Sequence, residues 1–418
     1  MRFSMNYAVL AVTISVPALP ALGASLCVNS TGFGSCYATI TEAVGAAAPN
    51  DVISVAPGTY RESVVIGKAV SIAGHNAVID ATGLPQGFFV NGLVHRVGGV
   101  QVTGFTIKNA NFEGVLVLNA TDVTVANNVV THNNLALADG HCPTRPVYEP
   151  GEDQDCGEGI HLQGADHSIV TNNTVEENSG GILLSDDTGP NHDNLVSLNM
   201  VSSNPYACGI TMASHVPSPT SGATQPYGVY HNTVYGNRSE KNGLAIGGGA
   251  GVGIFASIPY AKAFANVVVG NLVSGNGLPG VAMHAHAPFQ SLNDNMVVGN
   301  TVVGNGPDTE DAKTPGPTGI NLYSLTPVTG NVFSGNLIQD EAYDIAVKVP
   351  ALVMVHFNAL LGLRVGVDNL GVGEVDATGN WFGCGGGPGT AGSCSAVEGL
   401  NVLSAPWLEM PTPAMPTF

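Results

Sequence analysis

A motif of asparagines, N-x-h-x-x-N with h apolar, limits this chain more than any other feature. It occurs as Asn173-TVEE-Asn178, Asn199-MVSS-Asn204, Asn232-TVYG-Asn237, Asn271-LVSG-Asn276 and Asn300-TVVG-Asn305, with looser copies from Asn128 and Asn336. Successive starts lie 26 to 45 residues apart, so a short unit carries loops of unequal length. Each unit is followed by a glycine or turn and an alternating run: GVLVL (114–118), GIHLQ (159–163), GILLS (181–185), GITMA (209–213), GIFAS (253–257), GVAMH (280–284) and GINLY (319–323). Strand, turn, strand, asparagine turn, strand and return make one coil of a right-handed parallel β-helix. Alternate apolar side chains fill the tube, and stacked asparagines bond from coil to coil. The asparagines are therefore read as structural.

The fold class that follows is all-β: a single-stranded, right-handed parallel β-helix of roughly ten coils with an N-terminal α-helical cap. The cap is expected within CYATITEAVGAAAPND (36–51), which has the apolar spacing of a short amphipathic helix. At the other end, NWFGCGGGPGTAGSC and LNVLSAPWL read as a stapled terminal coil, followed by a Pro-rich tail over 410–418. The β-helix domain is expected over 25–409.

The first 24 residues read as an export signal: Arg2 is their only charge, an apolar stretch starts at Ala8, and Ala21, Gly23 and Ala24 suit cleavage. That stretch, broken by Pro17 and Pro20, is too short to span a bilayer. A secreted or periplasmic protein with no membrane span is expected. Twelve Lys and Arg against 31 Asp and Glu give a net charge of −19, which excludes nucleic acid as a partner. Seven cysteines in an exported chain should mostly pair. Their spacing suggests Cys27–Cys36, Cys142–Cys156 and Cys384–Cys394, and leaves Cys208 as a small buried hydrophobe.

The stretch DVISVAPGTYRESVVI, the asparagine coils and the closing NWFG…GP…APWL together resemble the pectin-lyase-like superfamily of right-handed parallel β-helix proteins. Within it the chain is similar to the parallel β-helix repeat proteins that include the periplasmic NosD-like group. The resemblance implies the fold over nearly the whole mature chain. For function it implies only a range, because this scaffold hosts lyases, hydrolases, epimerases, esterases and binders.

Aligning the coils on Ile160, Ile182, Ile210, Ile254, Val281 and Ile320 sends alternate residues outward. The outward stack then reads His161/Gln163, Leu183/Ser185, Thr211/Ala213, Phe255/Ser257, Ala282/His284 and Asn321/Tyr323. Five residues past the alignment point come Asp187, His215 and, further along, His286. Coils lie about 4.8 Å apart, so Asp187 and His215 should be neighbours, with Asp186 beside them. His167 and His192 precede second strands and are expected at the same corner. As turn residues alone, Asp186 and Asp187 would need no further explanation. Two carboxylates clustered with three imidazoles point to chemistry instead. The long segments 142–156 and 216–227 flank this face and should wall it into a groove.

Three functions fit. In the first, a polysaccharide or oligosaccharide binds the groove and is hydrolysed, with Asp186, Asp187, His215 and His192 as the acid–base set. His161, His167, Gln163, Phe255, Tyr323, His284 and His286 would contact substrate, the aromatics as stacking platforms. The paired Asp of SDDTG is similar to that of polygalacturonase-type hydrolases, although the preceding coil reads IHLQG and supplies no matching third carboxylate. The second is a polysaccharide lyase or epimerase with His215 as base. The third is a NosD-like accessory protein in which His167, His192, His215 and Asp187 bind a divalent metal: calcium for a lyase, zinc or copper for this ligand set.

Overall fold

The computed structural model describes residues 23–411, apart from 139–140, 143, 145, 149–156, 246–247, 286 and 393. The expected Cys142–Cys156 bridge, His286, residues 1–22 of the leader and 412–418 of the tail therefore lie outside the described residues.

The chain winds as a parallel β-helix. Each coil adds one strand to a 12-stranded front sheet and, along most of its length, two to a 23-stranded back sheet; short ribbons of two and three strands form at one corner. All strand pairings between coils of the front sheet are parallel, as from Ile160–Gln163 to Ile182–Ser185 and on to Ile210–Ser214. An inward column runs Val115, Ile160, Ile182, Ile210, Val252, Val281, Ile320 and Ile345, all fully buried. β-Branched side chains suit this position because their stiff rotamers stack in register on the pleat.

A glycine opens most of the front strands, and packing requires it. A Cβ on Gly159, Gly181 or Gly251 would lie 2.2, 2.3 or 2.1 Å from a Cγ1 of Val175, Val201 or Val273 across the tube. This column corrects the alignment on Ile254. Val252, not Ile254, pairs with Ile210 and Val281, so Phe255 stands level with Ala213 and His284. Two glycines occur in AGVGIFAS, and the constrained one is Gly251 rather than Gly253.

Asparagines form a ladder at each of three corners. At the second corner, Asn199 donates its backbone N–H and its Nδ2 to Asn237 Oδ1, both at 2.9 Å, and its Nδ2 to Val170 O at 2.9 Å. The same pattern links Asn128, Asn173, Asn199, Asn237, Asn271, Asn300, Asn336, Asn358 and Asn380. The first corner runs Ser168, Asn194, Asn232, Asn266, Asn295 and Asn331. The motif Asn232-TVYG-Asn237 therefore spans the first and second corners, one corner away from Asn173-TVEE-Asn178. Its true equivalent is Asn237-RSEK-Asn242, whose apolar position holds Ser239. That serine is buried and donates to Gly251 O at 2.7 Å, a polar residue in the core that hides the repeat.

The cap helix α1 is Ile40–Ala46, with a reciprocal Thr39–Glu42 capping box and Ile40, Ala43 and Val44 buried. Glu62 accepts from the Ile40 and Thr41 N–H groups at 2.9 and 2.8 Å, fixing the helix over the first coil. Cys27–Cys36 and Cys384–Cys394 are bonded, stapling the two ends. Cys208 is buried, and its Sγ accepts the Ala250 N–H at 3.2 Å. Among the described residues no helix is long and apolar enough to cross a membrane.

Candidate active site

The outer face of the front sheet carries two columns. One runs Leu116, His161, Leu183, Thr211, Gly253, Ala282 and Asn321; the other runs Leu118, Gln163, Ser185, Ala213, Phe255, His284, Tyr323 and Lys348. Just past the second column the chain turns, and Asp186, Asp187 and His215 sit there.

Asp187 and His215 meet as neighbours, Oδ2 to Nδ1 at 3.4 Å. Burial works against the Asp187 charge, yet His215 and the Ser185 hydroxyl hold its pKa below the usual carboxylate range. Ser185 also contacts His161, Oγ to Nε2 at 2.8 Å, so a polar chain runs His161–Ser185–Asp187–His215 across three coils. Asp186 points elsewhere. Its Oδ1 accepts the His215 N–H at 2.7 Å, and its Oδ2 accepts from Ser214 Oγ at 2.9 Å and Gly228 N at 2.5 Å. Burial raises its pKa to about 6 against these bonds, helped by the charge of Asp187. Asp186 thus clamps two turns and is not aimed at a ligand.

The groove expected on this face is covered. Ser218 donates to Val147 O at 3.1 Å, which joins the two long loops, and Gln163 donates to Tyr148 O. Ser218 N–H also bonds Asp187 O at 2.6 Å. Phe89 stacks on Tyr148, with centroids 5.8 Å apart. His161, Asp187 and His215 keep only 1, 2 and 4% of their surface exposed.

Two further acids escaped the sequence reading. Glu113 and Glu158 are buried beside His161, and one ligand atom from each of the three lies within 4.8 Å of the others. Gln86 Nε2 donates to Glu113 at 3.0 Å. Their signal was available: each directly precedes the constrained glycine of its coil, Gly114 or Gly159, where later coils have Gly180, Cys208 and Ala250.

His167 and His192 do not join Asp187 and His215. They lie round the corner, on the outside, where Asp166 pairs in register with Thr121 and His192. His167 Nδ1 is 3.1 Å from Asp166, and His192 Nδ1 is 2.8 Å from Asp193. The separation follows from Asp186, whose bond to Gly228 marks the turn between the front sheet and this corner. The four-residue metal set of His167, His192, His215 and Asp187 is therefore divided into two pairs.

His284 forms a third cluster. Its Nε2 lies 3.2 Å from Asp308 and its Nδ1 2.6 Å from Asp311. Burial opposes its charge, but the two carboxylates raise its pKa to about 9, and Asp308 falls to about 2. Asp308 also accepts the N–H groups of Glu310, Asp311 and Ala312. Phe255 and Tyr323 flank the ring at 5.4 and 6.2 Å. This ion triad fastens the 308–314 loop to the sheet and buries His284, while Phe255 and Tyr323 stay part-exposed beside it.

Residues 90–256 match the family model described as right handed beta helix region. The structure resembles that of the pectate lyase Pel9A at 16% identity, covering 78% of this chain and 76% of that one, with a TM-score of 0.50. It also resembles the Dettilon tailspike protein at 13% identity and a TM-score of 0.51; 83% of this chain matches, over 62% of the tailspike chain. No curated protein matches the sequence. The fold is that of the right-handed parallel β-helix proteins.

Proposed function

We propose that the covered patch on the front sheet is the active site of an exported carbohydrate-active enzyme that hydrolyses a glycosidic bond. The observation that carries this reading is the Asp187–His215 contact, continued through Ser185 to His161 on the outer face of a rigid sheet. A coil does not need these groups: the His161 and Ser185 columns hold Leu116, Leu183 and Ala213 in neighbouring coils, and the position of Asp187 and His215 holds Ala165 and Ser257. Burying an ionised carboxylate is costly, and a shielded acid–imidazole network is where a protein places proton transfer. The fold is shared with a protein named as a pectate lyase, with which the carbohydrate class accords.

Hydrolysis needs one group to protonate the leaving oxygen and another to activate water. His215, oriented by the ionised Asp187, serves as the proton donor. The Glu113–Glu158–His161 trio supplies carboxylate on the same face for the water. Asp186 is a positioning residue that holds the His215 backbone, and Gln163, bonded here to Tyr148 O, is assigned to the substrate. The paired cysteines suit an oxidising compartment outside the cytoplasm.

The test is a panel of neutral and acidic polysaccharides, assayed for new reducing ends and for the ultraviolet absorbance of unsaturated products. Wild type should release reducing ends without that absorbance, and Asp187→Asn and His215→Gln should each lower the rate by about 100-fold or more. Full activity in Asp187→Asn would sink the assignment, and unsaturated products would replace hydrolysis with elimination.

A further inference from the structure

The outer corner that carries His167 and His192 is unused by the proposed reaction, and its geometry points to a ligand of its own. Two columns run along it, one coil apart at each step. The first is Thr121, Asp166, His192, Tyr230 and Phe264, held in register by parallel pairing. The second comprises the residues that follow each of these, including Asp122, His167, Asp193 and His231, all with left-handed backbone at φ 53, 49, 55 and 55°. Asp and His tolerate that conformation better than most residues, and the asparagine ladder beneath fixes it.

Side chains on this frame are oriented by second contacts. Asp166 is held by Arg96 and Thr121 and accepts from His167 Nδ1, which leaves His167 Nε2 as the lone-pair nitrogen. The His192 ring stacks on Tyr230, with centroids 4.9 Å apart and planes within 8°, and Tyr230 stacks in turn on Phe264 at 5.0 Å. One ligand atom from each of His167, His192 and Asp193 lies within 4.8 Å of the other two. His231 Nδ1 stands 3.8 Å from the far oxygen of Asp193. His167 and His231 are exposed, so an ion can enter without a rearrangement of the coil.

We propose that His167, His192 and Asp193, with His231 as a fourth ligand, bind one divalent transition-metal ion of the zinc or copper(II) class. Three imidazoles with a single carboxylate suit these borderline ions, whereas calcium and magnesium prefer an all-oxygen shell. Ligand atoms around zinc at about 2.0–2.1 Å must draw closer together than they stand, which the exposed His167 and His231 accomplish by side-chain rotation. The site is separate from the Asp187–His215 network and independent of any reaction there.

The experiment is calorimetric titration of the metal-depleted full chain with zinc chloride, repeated on His167→Ala, His192→Ala and His132→Ala. His132 pairs with Glu177 at 2.9 Å on another exposed surface and controls for ordinary surface histidines. Wild type and His132→Ala should bind one equivalent, and each corner variant should bind at least about tenfold more weakly. Zinc should also raise the melting temperatures of wild type and His132→Ala, but not that of His192→Ala, each variant being compared with its own metal-free melt. Binding that survives both corner variants, displacement of zinc by equimolar calcium, or no saturable binding by wild type would overturn the proposal.

Discussion

The asparagine ladder of the third corner ends in an acid, and replacing that acid by an amide should change how stability depends on pH. Asn178, Asn204, Asn242, Asn276 and Asn305 each hand their N–H to the next coil, and Asn305 hands its N–H and Nδ2 to Glu341 Oε1, both at 2.9 Å. Glu341 is fully buried, and its second oxygen has no hydrogen-bond partner among the described residues. Asp344, also buried, has its pKa raised mainly by burial and further by the Glu341 charge, and one of its oxygens likewise lacks a hydrogen-bond partner among the described residues. Burial raises the Glu341 pKa from 4.5 to about 7, against the bonds from Asn305. The folded state therefore holds a proton that the unfolded chain releases. The resulting stabilisation is complete below pH 4.5 and is lost as pH rises through about 7. A rise of that size corresponds to about 3 kcal/mol between the two limits. Glutamine in place of Glu341 keeps an oxygen for Asn305 and needs no proton. Glu341→Gln should match wild type at pH 4.5 and exceed it by up to about 3 kcal/mol at pH 8.5. Urea denaturation of both proteins over this range, followed by circular dichroism, gives the difference directly. Parallel stability curves for the two proteins would refute the reasoning.

Two further outcomes test the frame itself. Asn237→Ala removes the acceptor for Asn199 N–H and Nδ2 and the donor to Val196 O and Asn271, so it should cost about 3 kcal/mol or more in denaturation experiments. Gly251→Ala should destabilise by about 1–3 kcal/mol, because its Cβ meets the Val273 side chain inside the closed tube. Gly253→Ala should cost less, since the atoms nearest its Cβ all belong to the part-exposed ring of Phe255, which can turn aside. Equal melting points for the two glycine variants would contradict the register.

Periodicity in the chain was enough to determine the coil and the asparagine ladders, while local apolar spacing marked the helical cap and cysteine spacing the two end staples. A β-helix repeats its contacts at every turn, so residues such as Asn199 and Gly181 face the same physical demand as their equivalents and reveal it by recurring. The Asp187–His215 contact was legible for the same reason, because both lie at one offset from stacked isoleucines. Where a coil broke the pattern, sequence reasoning slipped. Ser239 in an apolar core position concealed the true repeat at Asn237, and the second glycine of AGVGIFAS drew the register two residues away from Val252. Only the tertiary structure decided what happens at the turns. Chain direction there depends on bonds such as Asp186 to Gly228, which send His167 and His192 round a corner from His215. It also decided that the loops meet through Ser218 and Val147, burying the acid–base network. Contacts between segments 71 residues apart leave no period in a sequence, because each is made once.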